Sequence, residues 1–215
     1  MAIEILDEHE QSERVRAWLK DNGSNLITGI ALGIALVAGW HWWQGSRQEH
    51  RTTAAVQYRA LVDAAGAKEG DSVDAIAKSL QSGYKDTPYA LMAAMEVARV
   101  KLDAGDQKAA LQALSSIDLD DHDPALAAIV SLRAARLEIA LGEPAKALAR
   151  VERLAPAYAA LADETRADAL LALGRKDEAR SAYEKALTQI DAGSPLRAAV
   201  DMKLRELGVP AEPEA

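Results

Sequence analysis

The chain has 215 residues, 49% hydrophobic and 27% charged, with no cysteine, no phenylalanine and a formal net charge of −8. That length suits one domain of ordinary size with an appendage, and the missing cysteines exclude disulfides, thiolate metal sites, a cysteine nucleophile and CxxC redox chemistry. A pI near 5.1 means that the average field repels phosphate, which argues against nucleic acid as a partner, and a mean hydropathy of −0.13 is too polar for several membrane spans.

The first 21 residues hold six acids, Glu4, Asp7, Glu8, Glu10, Glu13 and Asp21, against Arg14, Arg16 and Lys20. Val15, Trp18 and Leu19 make a short apolar stripe, and Asp21-Asn22-Gly23 is expected to break the helix after it. Residues 1–24 therefore read as a short acidic tail with an amphipathic helix along the membrane surface.

No Lys, Arg, Asp or Glu occurs from Asn22 to Ser46, and Leu26–Trp43 is an apolar run of 18 residues. At ~1.5 Å per residue it reaches about 27 Å, close to the hydrocarbon thickness of a bilayer. Trp40, Trp42 and Trp43 crowd one end, where an indole ring can be half buried with its N–H still wet. A buried core helix is the plainer alternative, but so long a charge-free stretch disfavours it. A cleaved signal peptide is disfavoured by the acidic leader and by the bulky Trp-His-Trp-Trp end. Residues 25–45 thus read as a retained transmembrane helix. Gly29 and Gly33 form a GxxxG pair that would admit close approach of another helix. Near the membrane Arg14, Arg16 and Lys20 on one side balance Arg47, Arg51 and Arg59 on the other, so charge does not decide orientation. A short N-terminal tail before a long C-terminal domain fits export of that domain.

Beyond the span the composition turns to alanine, leucine and charge. Gly70, Gly105, Gly142 and Gly174 are separated by 35, 37 and 32 residues. Five residues after each stands an alanine: Ala75, Ala110, Ala147 and Ala179. Nine after stand Ser79, Leu114, Val151 and Tyr183, and twelve after stand Ser82, Ile117, Leu154 and Ala186. Seven before, the last three units have Ala98, Ala135 and Ala167, where the first has Asp63. Glycine closing one helix in a left-handed conformation, with alanines where helices cross, predicts a repeated helix–turn–helix. Thr87-Pro88, Asp123-Pro124 and Ser194-Pro195 place a capping side chain before proline at a helix start. The predicted pairs are 47–66 with 72–82, 88–104 with 106–117, 124–141 with 144–154, and 158–173 with 175–190. A closing helix follows at 195–207. No segment alternates with period two, so strands are not expected. The tail, 208–215, is expected to be disordered.

This pattern resembles tetratricopeptide repeats, best in the unit Ala167…Gly174…Ala179…Tyr183…Ala186. The expected fold is all-α: one N-terminal transmembrane helix, then a tetratricopeptide-repeat-like solenoid at 46–207 of about four helix pairs plus a closing helix. The acidic tail, Asn22-Gly23, the span ending GWHWW and the run LLALGRKDEARSAYEKA together resemble the YfgM family over about residues 3–207. The resemblance implies a periplasmic repeat domain and an N-terminus in the cytoplasm. It also implies an inner-membrane, single-pass location and a role as ancillary subunit of the SecYEG translocon. A PpiD-like membrane-anchored chaperone and exported polypeptides are the further partners implied, beside the lipid bilayer.

No catalytic motif accompanies this. His9, His41, His50 and His122 never fall at metal-ligand spacing, and GxSxG, P-loop and dinucleotide fingerprints are missing. Asp118-Leu-Asp-Asp-His-Asp-Pro alternates acids like a calcium loop, but Asp123 and Ile129 stand where glycine and glutamate are required. No enzyme activity, cofactor or metal is expected; an enzyme with a site of dispersed carboxylates is the alternative from another class. A candidate partner groove remains, formed by the first helix of each pair. Repeat phase assigns to it Met92, Met95, Arg99 and Leu102 in the second unit, and Ile129, Leu132, Arg136 and Ile139 in the third. Leu161, Glu164, Asp168 and Leu171 follow in the fourth. Arg99 and Arg136 share a repeat position and are expected to line one wall. Methionine suits varied apolar contacts, so the groove fits an extended or helical polypeptide segment; packing between units or cover by the closing helix is the plainer alternative. A membrane-tethered scaffold facing the cytoplasm is the second interaction reading.

Overall fold

A computed structural model describes residues 4–120 and 122–208, with side chains from residue 12 onward. His9 and the acids at positions 4–10 therefore have only their backbone described. Asp121 and residues 209–215 lie outside the described residues, so of the tail expected to be disordered, 208–215, only Gly208 is described. The described residues form nine α-helices and no strand: α1 (Glu4–Gly66), α2 (Gly70–Gly83), α3 (Pro88–Asp103), α4 (Gln107–Ser115), α5 (Pro124–Ala140), α6 (Pro144–Val151), α7 (Ala159–Ala172), α8 (Lys176–Leu187) and α9 (Pro195–Glu206). The chain divides into two units at Thr52 and Thr53.

In the first unit the helix runs through Asp21-Asn22-Gly23 without the expected break. The Asn22 side-chain amide donates to the Trp18 carbonyl at 3.1 Å, and the Thr28 hydroxyl donates to the Ser24 carbonyl at 2.8 Å. These polar groups are satisfied inside the helix, and one glycine costs only about 1 kcal/mol there. An interrupted backbone beside an apolar medium would cost more. The apolar window is 0% buried by the chain itself, which removes the core-helix reading. Trp40 and Trp43 pack with ring centroids 5.2 Å apart, and the Arg47 guanidinium lies 4.2 Å from the Trp43 centroid. A Cβ added at Gly29 or Gly33 would meet no atom within 4 Å, so no contact within the chain accounts for these glycines.

The second unit stacks helical hairpins: residues 53–66 of α1 with α2, through Leu61 and Ala65 against Val73, Ala77 and Leu80, then α3 with α4, α5 with α6, and α7 with α8, followed by α9. Gly105, Gly142 and Gly174 are left-handed, at φ of 80°, 78° and 75°. Each closes its helix in the same way. The glycine N–H bonds the carbonyl three residues back and the next N–H bonds the one five back, as in Gly105 to Leu102 at 2.8 Å and Asp106 to Lys101 at 2.9 Å.

The first unit of the repeat departs from the expected phase. Lys68, not Gly70, is left-handed, at φ 60°, and Gly70 instead begins α2. Shifting the phase by two residues replaces exposed Asp63, Ala75, Ser79 and Ser82 by buried Leu61, Val73, Ala77 and Leu80. Burying an aspartate costs several kcal/mol, whereas a non-glycine left-handed residue costs about 1–2 kcal/mol, so the apolar register overrides the glycine. Counted from Lys68 the spacing is 37, 37 and 32 residues. Gly208, 34 residues beyond Gly174, is also left-handed, at φ 82°, so α9 stands as the first helix of a fifth unit.

Of the expected caps, Asp123 accepts from the N–H groups of Ala125 and Leu126, and Ser194 from that of Leu196. Thr87 makes no cap; its hydroxyl donates to the Tyr84 carbonyl at 2.7 Å. Alanines 98, 135, 167, 110, 147 and 179 are all buried. They lie in apolar clusters shared by neighbouring units, such as Ala98, Ala110 and Leu114 with Val130, Ala134 and Leu137. Small side chains at the crossings let the hairpins stack closely.

Candidate functional site

The first helices adjoin one another along the stack, since α3 lies against α5 and α5 against α7. Tyr58 of α1 and Tyr89 of α3 have ring centroids 5.7 Å apart. α1 and α3 thus meet at these half-buried rings, and burial with the Glu96 carboxylate on α3 pushes the Tyr58 phenol up, partly offset by Arg99. One face of α3 and of α5 remains open once the hairpin partner and the neighbouring units have taken the others, whereas no residue of α7 before Ala172 is exposed.

Met92 and Met95 are half-buried on this face, while Arg99, Leu102, Ile129 and Arg136 are exposed. Ile139, Leu161, Asp168 and Leu171 are half-buried. Two expected groove residues are corrected. Leu132 is only 5% exposed and joins Ala135, Ala147 and Val151 in the core, and Glu164 is 4% exposed. Both stand ten residues before their turn, a position rotated toward the next unit.

Arg99 and Arg136 are both exposed six residues before their turns, on adjoining first helices, but they are held differently. Arg99 bonds carboxylates of its own helix, Glu96 at 2.6 Å and Asp103 at 2.8 Å. Arg136 reaches Glu164 of the next unit at 3.0 Å. The cause lies one unit on: where Arg136 finds Glu164, the equivalent residue facing Arg99 is the apolar Leu132.

At the fourth unit the closing helix takes the acids. The Lys203 ammonium lies 2.6 Å from Glu164 and 2.7 Å from Asp168. The Tyr183 hydroxyl donates to Asp168, and Thr165 donates to Glu164 at 3.2 Å. Burial opposes ionisation of Glu164, but Lys203 and Arg136 outweigh it and hold its carboxyl below the ordinary carboxylate range. Burial likewise opposes charge on Lys203, and Asp168 with Glu164 reverses this to raise its pKa. Burial and then Asp168 push the Tyr183 phenol up. Elsewhere Lys185 holds buried Asp163 at 2.9 Å, and Arg150 holds buried Glu138 at 2.6 Å. The buried carboxylates thus serve as ties between helices.

Among the described residues no group of three or more His, Asp or Glu is placed to hold a metal. A cleft of about 510 Å³ lies where the third and fourth turns adjoin, lined by Ile139, Gly142, Pro144, Ala172 and Leu173 among others. Of the expected groove residues it includes only Ile139.

Sequence reasoning missed a row on the open face nine residues before each turn: Arg59, Glu96, Arg133 and buried Thr165. It also missed exposed Val62 and Met202, six before the first and fifth turns. At 100° per residue, positions nine and six before the turn flank the one thirteen before, so the helical period contained this signal.

A family model described as a tetratricopeptide repeat-like domain matches residues 16–209. The chain belongs to this family. It is also 29% identical over 204 residues to a protein of Escherichia coli (strain K12) named "Ancillary SecYEG translocon subunit", covering 94% of this chain and 98% of that one. A protein of the same name from Haemophilus influenzae is 27% identical over 84% of this chain and 89% of its own length. Another, from Aggregatibacter actinomycetemcomitans, is 22% identical over 94% and 98%. The resemblance read from the tail, span and repeat together thus extends along nearly the full chain.

Proposed function

We propose that the chain is a membrane-anchored protein-interaction module that serves as an ancillary subunit of the SecYEG translocon. The observation that carries this is similarity along 94% of the chain, anchor and repeats alike, to relatives bearing that name. The span holds the protein in the inner membrane with its N-terminus in the cytoplasm and its repeats in the periplasm. Gly29 and Gly33 receive another membrane helix. The open face engages a PpiD-like chaperone or segments of exported polypeptides. Confinement to one membrane raises effective concentration, so weak contacts suffice. The role is non-enzymatic; the ties made by Asp163, Glu164, Asp168 and Glu138 support a structural use of the buried acids.

Photocrosslinkers at Met92 and Ile129 in native membranes should capture translocon subunits and the chaperone. Failure to recover either, across several mild solubilisations, would remove the assignment. An alkaline phosphatase fusion after Ala215 should be active; an inactive fusion would favour the cytoplasm-facing scaffold.

A further inference from the structure

We propose that the open face of the first three repeat units is a cationic strip that binds polypeptide segments carrying carboxylates among apolar side chains. This deepens, and rests on, the polypeptide-binding reading of that face. Residues 53–215 contain 20 bases and 26 acids, so a basic patch is not what their composition leads one to expect. Yet the strip holds Arg59, Arg99, Arg133 and Arg136 against Glu96 and Asp103, with exposed Asp63 at its edge one turn from Arg59. Arg99 engages both Glu96 and Asp103. Arg136 keeps 49% of its side chain exposed, and the Glu164 it touches is shared with Lys203. Arg59 and Arg133 are exposed and make no ion pair among the described residues.

Beside them lie exposed Val62 and Ile129 and half-buried Met92. Guanidinium forks match carboxylates in a bidentate geometry, and adjoining apolar surface strengthens the attraction by lowering the local dielectric. The strip stops at the fourth unit, where Thr165 is buried and Asp168 is held by Lys203. Three first helices about 10 Å apart span about 20 Å, which matches about six residues of extended chain at ~3.3 Å each. Cations spread over three helices with apolar gaps between them fit such a chain better than one compact phosphate.

The test uses the full chain in detergent and fluorescent peptides of alternating Leu-Leu and Glu-Glu pairs, with Gln and Lys counterparts. The Glu peptide should bind, the Gln peptide should bind more weakly, and the Lys peptide should not bind. Arg59→Gln with Arg133→Gln should weaken the Glu peptide about tenfold, equivalent to about 1.4 kcal/mol. Lys108→Gln, on α4 away from the strip, should leave binding unchanged. Equal affinity for the Glu and Gln peptides, or an unaffected double variant, overturns the cationic strip while leaving an apolar polypeptide face standing. If no peptide binds, and Met92→Asp with Ile129→Asp leaves translocon capture intact, the polypeptide-binding reading itself fails. Arginine-dependent binding to phosphatidylglycerol bicelles without peptide binding would assign the strip to lipid and overturn the polypeptide occupant.

Discussion

Lys203→Met removes the cation that joins α9 to Glu164 and Asp168 while keeping most of the aliphatic stem. Removing one partner of a buried pair typically costs about 3–5 kcal/mol, because the other charge stays buried without compensation. Here the cost is smaller: Lys203 keeps 28% of its side chain exposed, Glu164 retains Arg136, and Asp168 retains Tyr183. About 2–3 kcal/mol remains, which lowers the melting temperature by about 4–12 °C for a domain of this size. Circular dichroism of the full chain in detergent reads this loss. The pH dependence is a second check. Glu164 has a depressed pKa in the folded chain, so its contribution is present above the unfolded value of about 4.3 and is lost as pH falls through the folded value. Lys203 has a raised pKa, so its contribution is present below about 10.4 and is lost as pH rises through its folded value. The difference between wild type and variant should therefore stay flat from about pH 5 to 9 and shrink at both extremes. A loss under about 0.5 kcal/mol, within the usual effect of a surface substitution, or a difference that changes across neutral pH, would refute the tie.

Two further perturbations test the corrected repeat phase and the packing. Lys68→Gly should stabilise by about 1 kcal/mol by relieving the left-handed backbone, and Gly70→Ala, at the start of α2, should be neutral or mildly stabilising; the reverse pattern in thermal melts would restore Gly70 as the turn residue. Ala147→Leu should cost at least about 1–3 kcal/mol, because added methylenes have no room where hairpins cross; an unchanged melting curve would count against close packing there.

The helical pairs, their order and most of their boundaries were legible because the signals were local: proline at helix starts, left-handed glycines, and alanines at fixed offsets. Lys68 was not legible from the glycine pattern, because the apolar register of Leu61, Val73, Ala77 and Leu80 outweighed a residue type that elsewhere marks the turn. The continuous helix at Asn22-Gly23 was missed because turn propensity was weighed without the hydrogen bonds that Asn22 and Thr28 make inside the helix. Arg133 and Arg59 escaped because the four expected groove positions per unit omit the one nine before the turn and include the one ten before it, which rotates toward the next unit. The partners of Arg99 and Arg136 depend on what the following unit carries, which no single repeat reveals.

That dependence on the next unit sets a gradient along the stack. In the third and fourth units, Arg136 reaches forward to Glu164 and Lys203 reaches back to Glu164 and Asp168, so α5, α7 and α9 are tied by charge as well as by apolar contact. Between α3 and α5 the same position offers Leu132, and Arg99 turns back on its own helix. The second unit thus contributes side-chain charge to its surface rather than to the seam with the third. A strip that binds a chain needs guanidinium groups kept at the surface rather than locked in a seam between units, and elements that yield locally are drawn from the less stable parts of a fold. Amide hydrogen exchange on the full chain should therefore be faster along α3 and α4 than along α7 to α9. Uniform protection, or faster exchange in α9, would mean that the charge ties do not govern local opening.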